Sequence, residues 1–274
     1  MGIATQKEAA IALALPMPVA GSWWRGLMAM CLVFWVLAGQ LAWAQSEPKA
    51  GPRVRVAVSS TGAEAIERTR QRLAFAYADQ GLKLGARVYF RLIRDQDRLE
   101  VWVRSGSGLY VRLRNFKICS KDGALGPRQN ANSGQPEGFY QITPAQMRPQ
   151  GVSYLGMNLG WPNAYDRARG WRGSPSLLQA GCASGRHYGL TDQDMEEVFT
   201  ITYYAMVNGQ TQVPFHIFPF QMTGFRMLQI GEGPKANFWR ELEPAWRAFE
   251  RTKTPPQIKI QGRRYRVSEG KSGR

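Results

Sequence analysis

The stretch Arg87-Val-Tyr-Phe-Arg-Leu-Ile-Arg-Asp-Gln-Asp-Arg-Leu-Glu-Val-Trp-Val-Arg-Ser-Gly-Ser-Gly-Leu-Tyr-Val-Arg-Leu-Arg-Asn-Phe-Lys-Ile118 decides the fold class. Its apolar residues recur at every second position in Val88, Phe90 and Leu92 and in Leu99, Val101 and Val103, and follow the same period with two irregular steps in Tyr110, Val111, Leu113, Phe116 and Ile118. A period of two sends successive side chains to opposite faces of a strand. Asp95-Gln-Asp97 and Gly106-Ser-Gly108 interrupt the alternation with turn-forming residues. Three antiparallel strands joined by tight turns are therefore expected.

Upstream, Thr61-Gly-Ala-Glu64 has the spacing of a capping box, and Ile66, Leu73, Ala76 and Tyr77 follow at helical spacing until Gly81. Arg68, Arg70 and Arg72 form the wet side of that helix. Downstream, residues 123–138 have the Gly, Pro, Asn and Ser content of a long loop. Short strands are expected at residues 139–142, 154–159 and 176–179, and again at 213–220, where prolines mark the edges. Thr191 is placed to cap a helix that buries Met195, Val198, Phe199 and Met206. Phe238, Trp239, Leu242, Trp246 and Phe249 mark a last helix, and the tail after residue 251 reads as basic and mobile, with one edge strand.

Residues 1–44 differ in kind. Arg25 precedes an uncharged apolar run that ends in Ala42-Trp-Ala44, the pattern of a cleaved signal peptide. An uncleaved membrane anchor is the alternative, because the run nearly suffices to span a bilayer. Removing Lys7, Arg25 and Glu8 from the totals of 36 basic and 20 acidic residues leaves 34 and 19, a net charge of +15. A charge of that size favours polyanions, which for a periplasmic protein means envelope polymers and membrane surfaces and excludes nucleic acid. The exported part keeps two cysteines, Cys119 and Cys182, which either form one disulfide or remain thiols.

Residues 173–191 concentrate the reactive side chains: Cys182, Ser184, Arg186 and His187, with Gly181 and Gly185 between them. The five-residue spacing of Cys182 and His187 fits no metal site and no fixed nucleophile motif. No Walker loop, zinc cluster or dinucleotide fingerprint occurs, so no cofactor and no metal is expected.

Six blocks in order resemble the L,D-transpeptidase family (YkuD-type catalytic domain) in its YafK-like murein branch. They are Val88-Tyr-Phe-Arg-Leu-Ile-Arg94 with Leu99-Glu-Val-Trp102; Phe116-Lys-Ile-Cys119 with Gly123-Ala-Leu-Gly-Pro127; Gln135-Pro-Glu-Gly-Phe-Tyr140; Asn158-Leu-Gly-Trp-Pro-Asn-Ala-Tyr-Asp166; Thr191-Asp192 with Glu196-Glu197; and Val213-Pro-Phe-His-Ile-Phe-Pro-Phe220. The resemblance implies a β-rich, sandwich-like single domain with flanking α-helices over residues 61–250, after a linker at 45–60 and before a basic tail at 251–274. It also implies chemistry in which a cysteine thiolate attacks a stem-peptide carbonyl of peptidoglycan to form a thioester, which an amine or water resolves. That chemistry needs a histidine beside the thiolate and N–H donors for the oxyanion.

The family's loop reads His-Gly-x-Cys-x-Ser-x-Gly-Cys-x-x-Met-Thr, with the last cysteine as nucleophile. Aligned without a gap from Thr191, the histidine is Gln179, the first glycine is Ala180, the second is Arg186 and the nucleophile is His187. Cys182 and Ser184 retain their positions. Just upstream, Gly170-Trp-Arg-Gly173 moves an arginine by one place relative to the family. An imidazole cannot form the thioester and a glutamine cannot take a proton, so a degenerate transpeptidase that binds or regulates the wall is expected. The alternative is an active transpeptidase or amidase with Cys182 as relocated nucleophile and His187 as base, Gly181 and Gly185 supplying oxyanion donors. A ligand unrelated to the wall, bound on an inherited fold, is a third reading.

Stem-peptide carboxylates or other anionic envelope polymers are the expected partners, met by Ser184, Arg186 and Arg172, with Arg128 and the basic tail as further candidates; the tail is also a candidate for membrane-surface contact. His216 reads as a structural hydrogen-bonder.

Overall fold

A computed structural model describes residues 54–148, 154–183 and 187–270. The expected signal peptide, most of the linker, and Ser184, Gly185 and Arg186 lie outside these residues. The chain runs α1 (Ser60–Ala78), β1 (Val88–Ile93), β2 (Arg98–Arg104), β3 (Tyr110–Lys117), β4 (Gly138–Ile142), β5 (Met147–Arg148), β6 (Gly156–Asn158), α2 (Ala164–Ala168), β7 (Leu177–Ala180), β8 (Tyr188–Leu190), α3 (Asp192–Val207), β9 (Val213–Phe218), α4 (Gly224–Leu228), α5 (Pro234–Thr252), β10 (Gln257–Gln261) and β11 (Arg264–Ser268). This is the expected single domain of two main sheets with flanking helices, mixed α/β in content, with β10 and β11 forming a separate two-stranded hairpin.

The larger sheet has the order β3-β2-β1-β9-β4. The expected three-stranded meander forms its first half, with Phe90 opposite Val101 and Leu99 opposite Phe116. β9 joins β1 in parallel, and β4 pairs with β9 antiparallel. Every residue of β1 is buried, because the strand is covered on both faces. Val88, Phe90 and Leu92 enter a core with Leu73 of α1 and Phe199 of α3. Each fully buried side chain of this kind contributes about 2 kcal/mol of transfer free energy. On the other face the ring of Tyr89 lies 4.8 Å from that of Phe249, and the Arg91 guanidinium lies 4.1 Å over Trp246, both on α5. Arg91 is tolerated there because Glu100 and Glu250 receive its N–H groups at 2.7 and 2.6 Å.

The smaller sheet has the order β5-β6-β7-β8. α1 packs on α3 through a buried Thr69–Thr200 hydroxyl contact of 2.7 Å. Two arginines read as the wet side of α1 pair across to α3, Arg68 with Glu196 at 2.8 Å and Arg72 with Glu197 at 2.7 Å.

Two local expectations differ from the structure. The first helix is capped by Ser59, whose Oγ accepts the Gly62 N–H at 3.1 Å, because Thr61 already lies inside the helix. The tail beyond α5 forms an antiparallel hairpin, β10–β11. Tyr265 anchors it, stacked on Tyr165 at 3.8 Å and buried among the residues of the α5 core. A basic composition hid one aromatic residue with a fixed place to go.

Candidate functional site

The loop singled out in the sequence lies on the last two strands of the smaller sheet. β7 and β8 are parallel, with Leu178 opposite Tyr188, Gln179 opposite Gly189 and Ala180 opposite Leu190. On its other side β8 is flanked by residues 119–120. The Cys119 N–H donates to Gly189 O at 2.9 Å, and the Gly189 N–H donates to Ser120 O at 2.9 Å. Gly189 is required by this crowding: a Cβ there would meet Gly181 O at 2.5 Å and Ser120 Cβ at 2.6 Å.

Cys182 and Cys119 form a disulfide across a sequence separation of 63. The bond joins the two segments that flank β8. Cys182 therefore carries no thiol in this structure, and any nucleophilic role for it begins with reduction. The Gly181 N–H donates to Leu190 O at 2.9 Å, which commits that oxyanion candidate to the strand pair. Gly181 has φ +98°, a conformation that glycine adopts without strain.

His187 sits just before β8, half-buried. Its Nδ1 accepts the Leu177 N–H at 3.3 Å, so that nitrogen carries no proton in this arrangement. The strand register places His187 beside Leu177, at the start of the β7–β8 pair, whereas Gly181 and Cys182 lie at its far end. The two members of the relocated pair are thus at opposite ends of the paired strands. Gln179 is buried on β7 opposite Gly189. His187 precedes that pairing by two residues, on the Leu177 side of the strand pair.

Arg172 is exposed, and its backbone N–H donates to Gln129 O at 3.1 Å. This draws residues 128–131 against 172–173. His216 lies in the other sheet, fully enclosed, with Nδ1 3.1 Å from the Tyr89 hydroxyl and its ring edge-on to Phe139. Burial, with a smaller contribution from the Arg91 charge, lowers its pKa to about 3, so it stays neutral and structural.

The sequence reading overlooked the ion pair that shapes the loop before β4. Arg94 and Glu137 are both buried and meet at 2.8 Å. Glu137 also accepts the Gly126 N–H and the Trp239 indole N–H, each at 2.8 Å. Arg94 donates to the carbonyls of Asp122, Gly123 and Ala124. The pair pulls residues 122–126 onto the start of β4. Both residues fall inside the quoted family blocks, but they lie just past the end of β1 and just before β4, where strand alternation assigns a charged residue no such role.

No family model matches the chain. It is 35% identical over 187 residues to the L,D-transpeptidase-family protein YafK of Escherichia coli K12, which covers 68% of this chain and 76% of YafK. The same values hold for YafK of the O157:H7 strain. Similar solved structures include Bd1075 of Bdellovibrio bacteriovorus, with 19% identity, a TM-score of 0.33 and 49% of each chain covered. Another is the helical cell shape determining protein Pgp2 of Campylobacter jejuni, with 12% identity, a TM-score of 0.35, and 69% of this chain and 80% of that one covered. By its sequence identity and coverage to YafK, this chain belongs to the L,D-transpeptidase family.

Proposed function

We propose that the protein acts in peptidoglycan metabolism as a wall-binding or regulatory member of the family, exported to the periplasm, in which the thioester chemistry has been lost. Family membership and a disulfide both fit the oxidising cell envelope. The observation that carries the reading is the β7–β8 register, which sets Gln179 opposite Gly189 and leaves His187 just before β8, bonded to the Leu177 N–H. In the family alignment these two residues, Gln179 and His187, stand where the base and the nucleophile are expected. Glutamine hydrogen-bonds without accepting a proton, and imidazole gives no thioester, so this pair leaves the family's thioester route without its nucleophile and its base.

The relocated enzyme would need Cys182 as a thiolate within hydrogen-bond reach of His187. The disulfide and the strand register both weigh against it. In the binding reading, Arg172, Ser184 and Arg186 are the candidates to meet anionic groups of stem peptides, and the net charge of the chain supplies longer-range attraction.

Intact mass spectrometry after incubation with a carbapenem, which acylates the family's nucleophilic thiol, tests the loss of catalysis. No adduct is expected; an adduct that disappears in Cys182→Ala would restore the enzyme reading. Retention on purified sacculi at moderate salt, above that of a basic control protein, tests the binding half.

A further inference from the structure

Three arginines are buried in the described residues: Arg91, Arg94 and Arg128. The first two have carboxylate partners at 2.6 to 2.8 Å. Arg128 has none, although it is only 4% exposed. Its Nε donates to Asn130 O at 3.3 Å, its guanidinium lies 4.2 Å from the centroid of the Trp161 ring, and its buried Nη1 has no hydrogen-bond partner among the described residues.

Two more unsatisfied polar atoms occur in the same corner. The Trp161 indole N–H and the Ser176 Oγ are both buried without a partner among the described residues. Ser176 O accepts the Leu159 N–H at 2.9 Å, two residues from Trp161, and Gly173 lies against that indole so closely that a Cβ would sit 3.0 Å from the ring. From Ser176 the chain passes directly to Leu177, which contacts His187. Residues 128–131, 161 and 173–177 thus converge beside the strand that carries the candidate site.

Burying an uncompensated cation is among the most costly arrangements a fold can retain. Burial lowers the Arg128 pKa, and the opposing influences come only from the hydroxyls of Tyr140 and Tyr188, with no carboxylate among them. Such a group is stabilised when its counter-ion arrives with a ligand. A planar guanidinium placed over an indole ring presents a fork of N–H donors suited to a planar two-oxygen acceptor. Indole N–H can only donate, and a hydroxyl can rotate to donate.

We propose that Arg128, with Trp161 and Ser176, forms a carboxylate-binding subsite that recognises a free carboxylate of a peptide ligand. As a subsite for wall stem peptides it rests on the function proposed above; as a carboxylate site it stands alone.

The test is calorimetric titration of the full exported chain with three probes: the stem tetrapeptide with free carboxylates, the same peptide with its carboxylates amidated, and sodium acetate. The free peptide should bind at least tenfold more tightly than the amidated one. Arg128→Gln should lose at least tenfold in affinity while its Tm stays level or rises, because an unpaired buried charge has been removed. Arg128→Lys should weaken binding less than Arg128→Gln does, and Ser176→Ala should weaken it less than tenfold.

Unchanged affinity in Arg128→Gln would overturn the subsite. So would a Tm lowered by several degrees in that variant, which would show the guanidinium to be packing. Sacculus retention separates the two proposals. If wild type binds sacculi but ignores amidation, the subsite falls and the wall reading stands. If acetate and peptide bind equally, depend on Arg128, and sacculi are not retained, the subsite stands and the wall reading falls.

Discussion

Cys119 and Cys182 are covalently joined on either side of β8, so the strand that carries Gly189 is held between two segments that cannot separate. Closing a loop with a sequence separation of 63 restricts the unfolded chain. By the chain-entropy relation this stabilises the fold by about 4 kcal/mol. Urea unfolding of the Cys119→Ser, Cys182→Ser double variant should show that loss, and wild type in reductant should match it. Peptide mapping without reductant should recover the linked pair. Free thiols in protein folded under oxidising conditions would contradict the structure.

Gly189→Ala should be destabilising by about 1–3 kcal/mol, the usual cost of overpacking. The added methyl has no flexible side chain to displace: it meets backbone at Gly181 O and the base of Ser120. Gly181→Ala is expected to destabilise for a different reason, positive φ in open space. Thermal unfolding of both variants checks this, and full stability in Gly189→Ala would mean that β8 sits further from its neighbours.

Glu137→Gln should cost about 3–5 kcal/mol, because it leaves Arg94 buried without its counter-charge. Replacing both residues together, Arg94→Met with Glu137→Gln, should cost less than the sum of the single changes. A double-mutant cycle measured by denaturant unfolding gives the coupling, and additive effects would show that the pair does not act as a unit.

His216 gives stability an acid limb. Its folded pKa of about 3 lies below the ordinary value of 6.5, so the unfolded state binds its proton first as pH falls. The contribution is fully present above about pH 6.5 and is lost progressively down to about pH 3. His216→Gln, which keeps a polar side chain beside the Tyr89 hydroxyl, should flatten the pH dependence of Tm across that window. An equally steep slope in the variant would assign the acid limb to other groups.

The legible parts of this chain are those whose pattern is repeated over many residues. Val88 to Ile118 showed its three strands through period-two alternation, and Thr191 announced α3 because a hydroxyl cap followed by an apolar stripe has one economical meaning. β5 and β8 have two and three residues, too few to establish a period, and both are held by neighbours distant in sequence. β8 went unseen for this reason, although it carries Gly189 and lies next to His187.

The sequence by itself determined the meander, the main helices and the family resemblance, because these are properties of local order and composition. Only the tertiary structure decided that Cys119 and Cys182 meet, that Cys182 and His187 lie at opposite ends of one strand pair, and that Arg128 is a buried cation with no counter-ion among the described residues. Each depends on the distance between residues far apart in the chain, which only the packing of the two sheets and their loops sets.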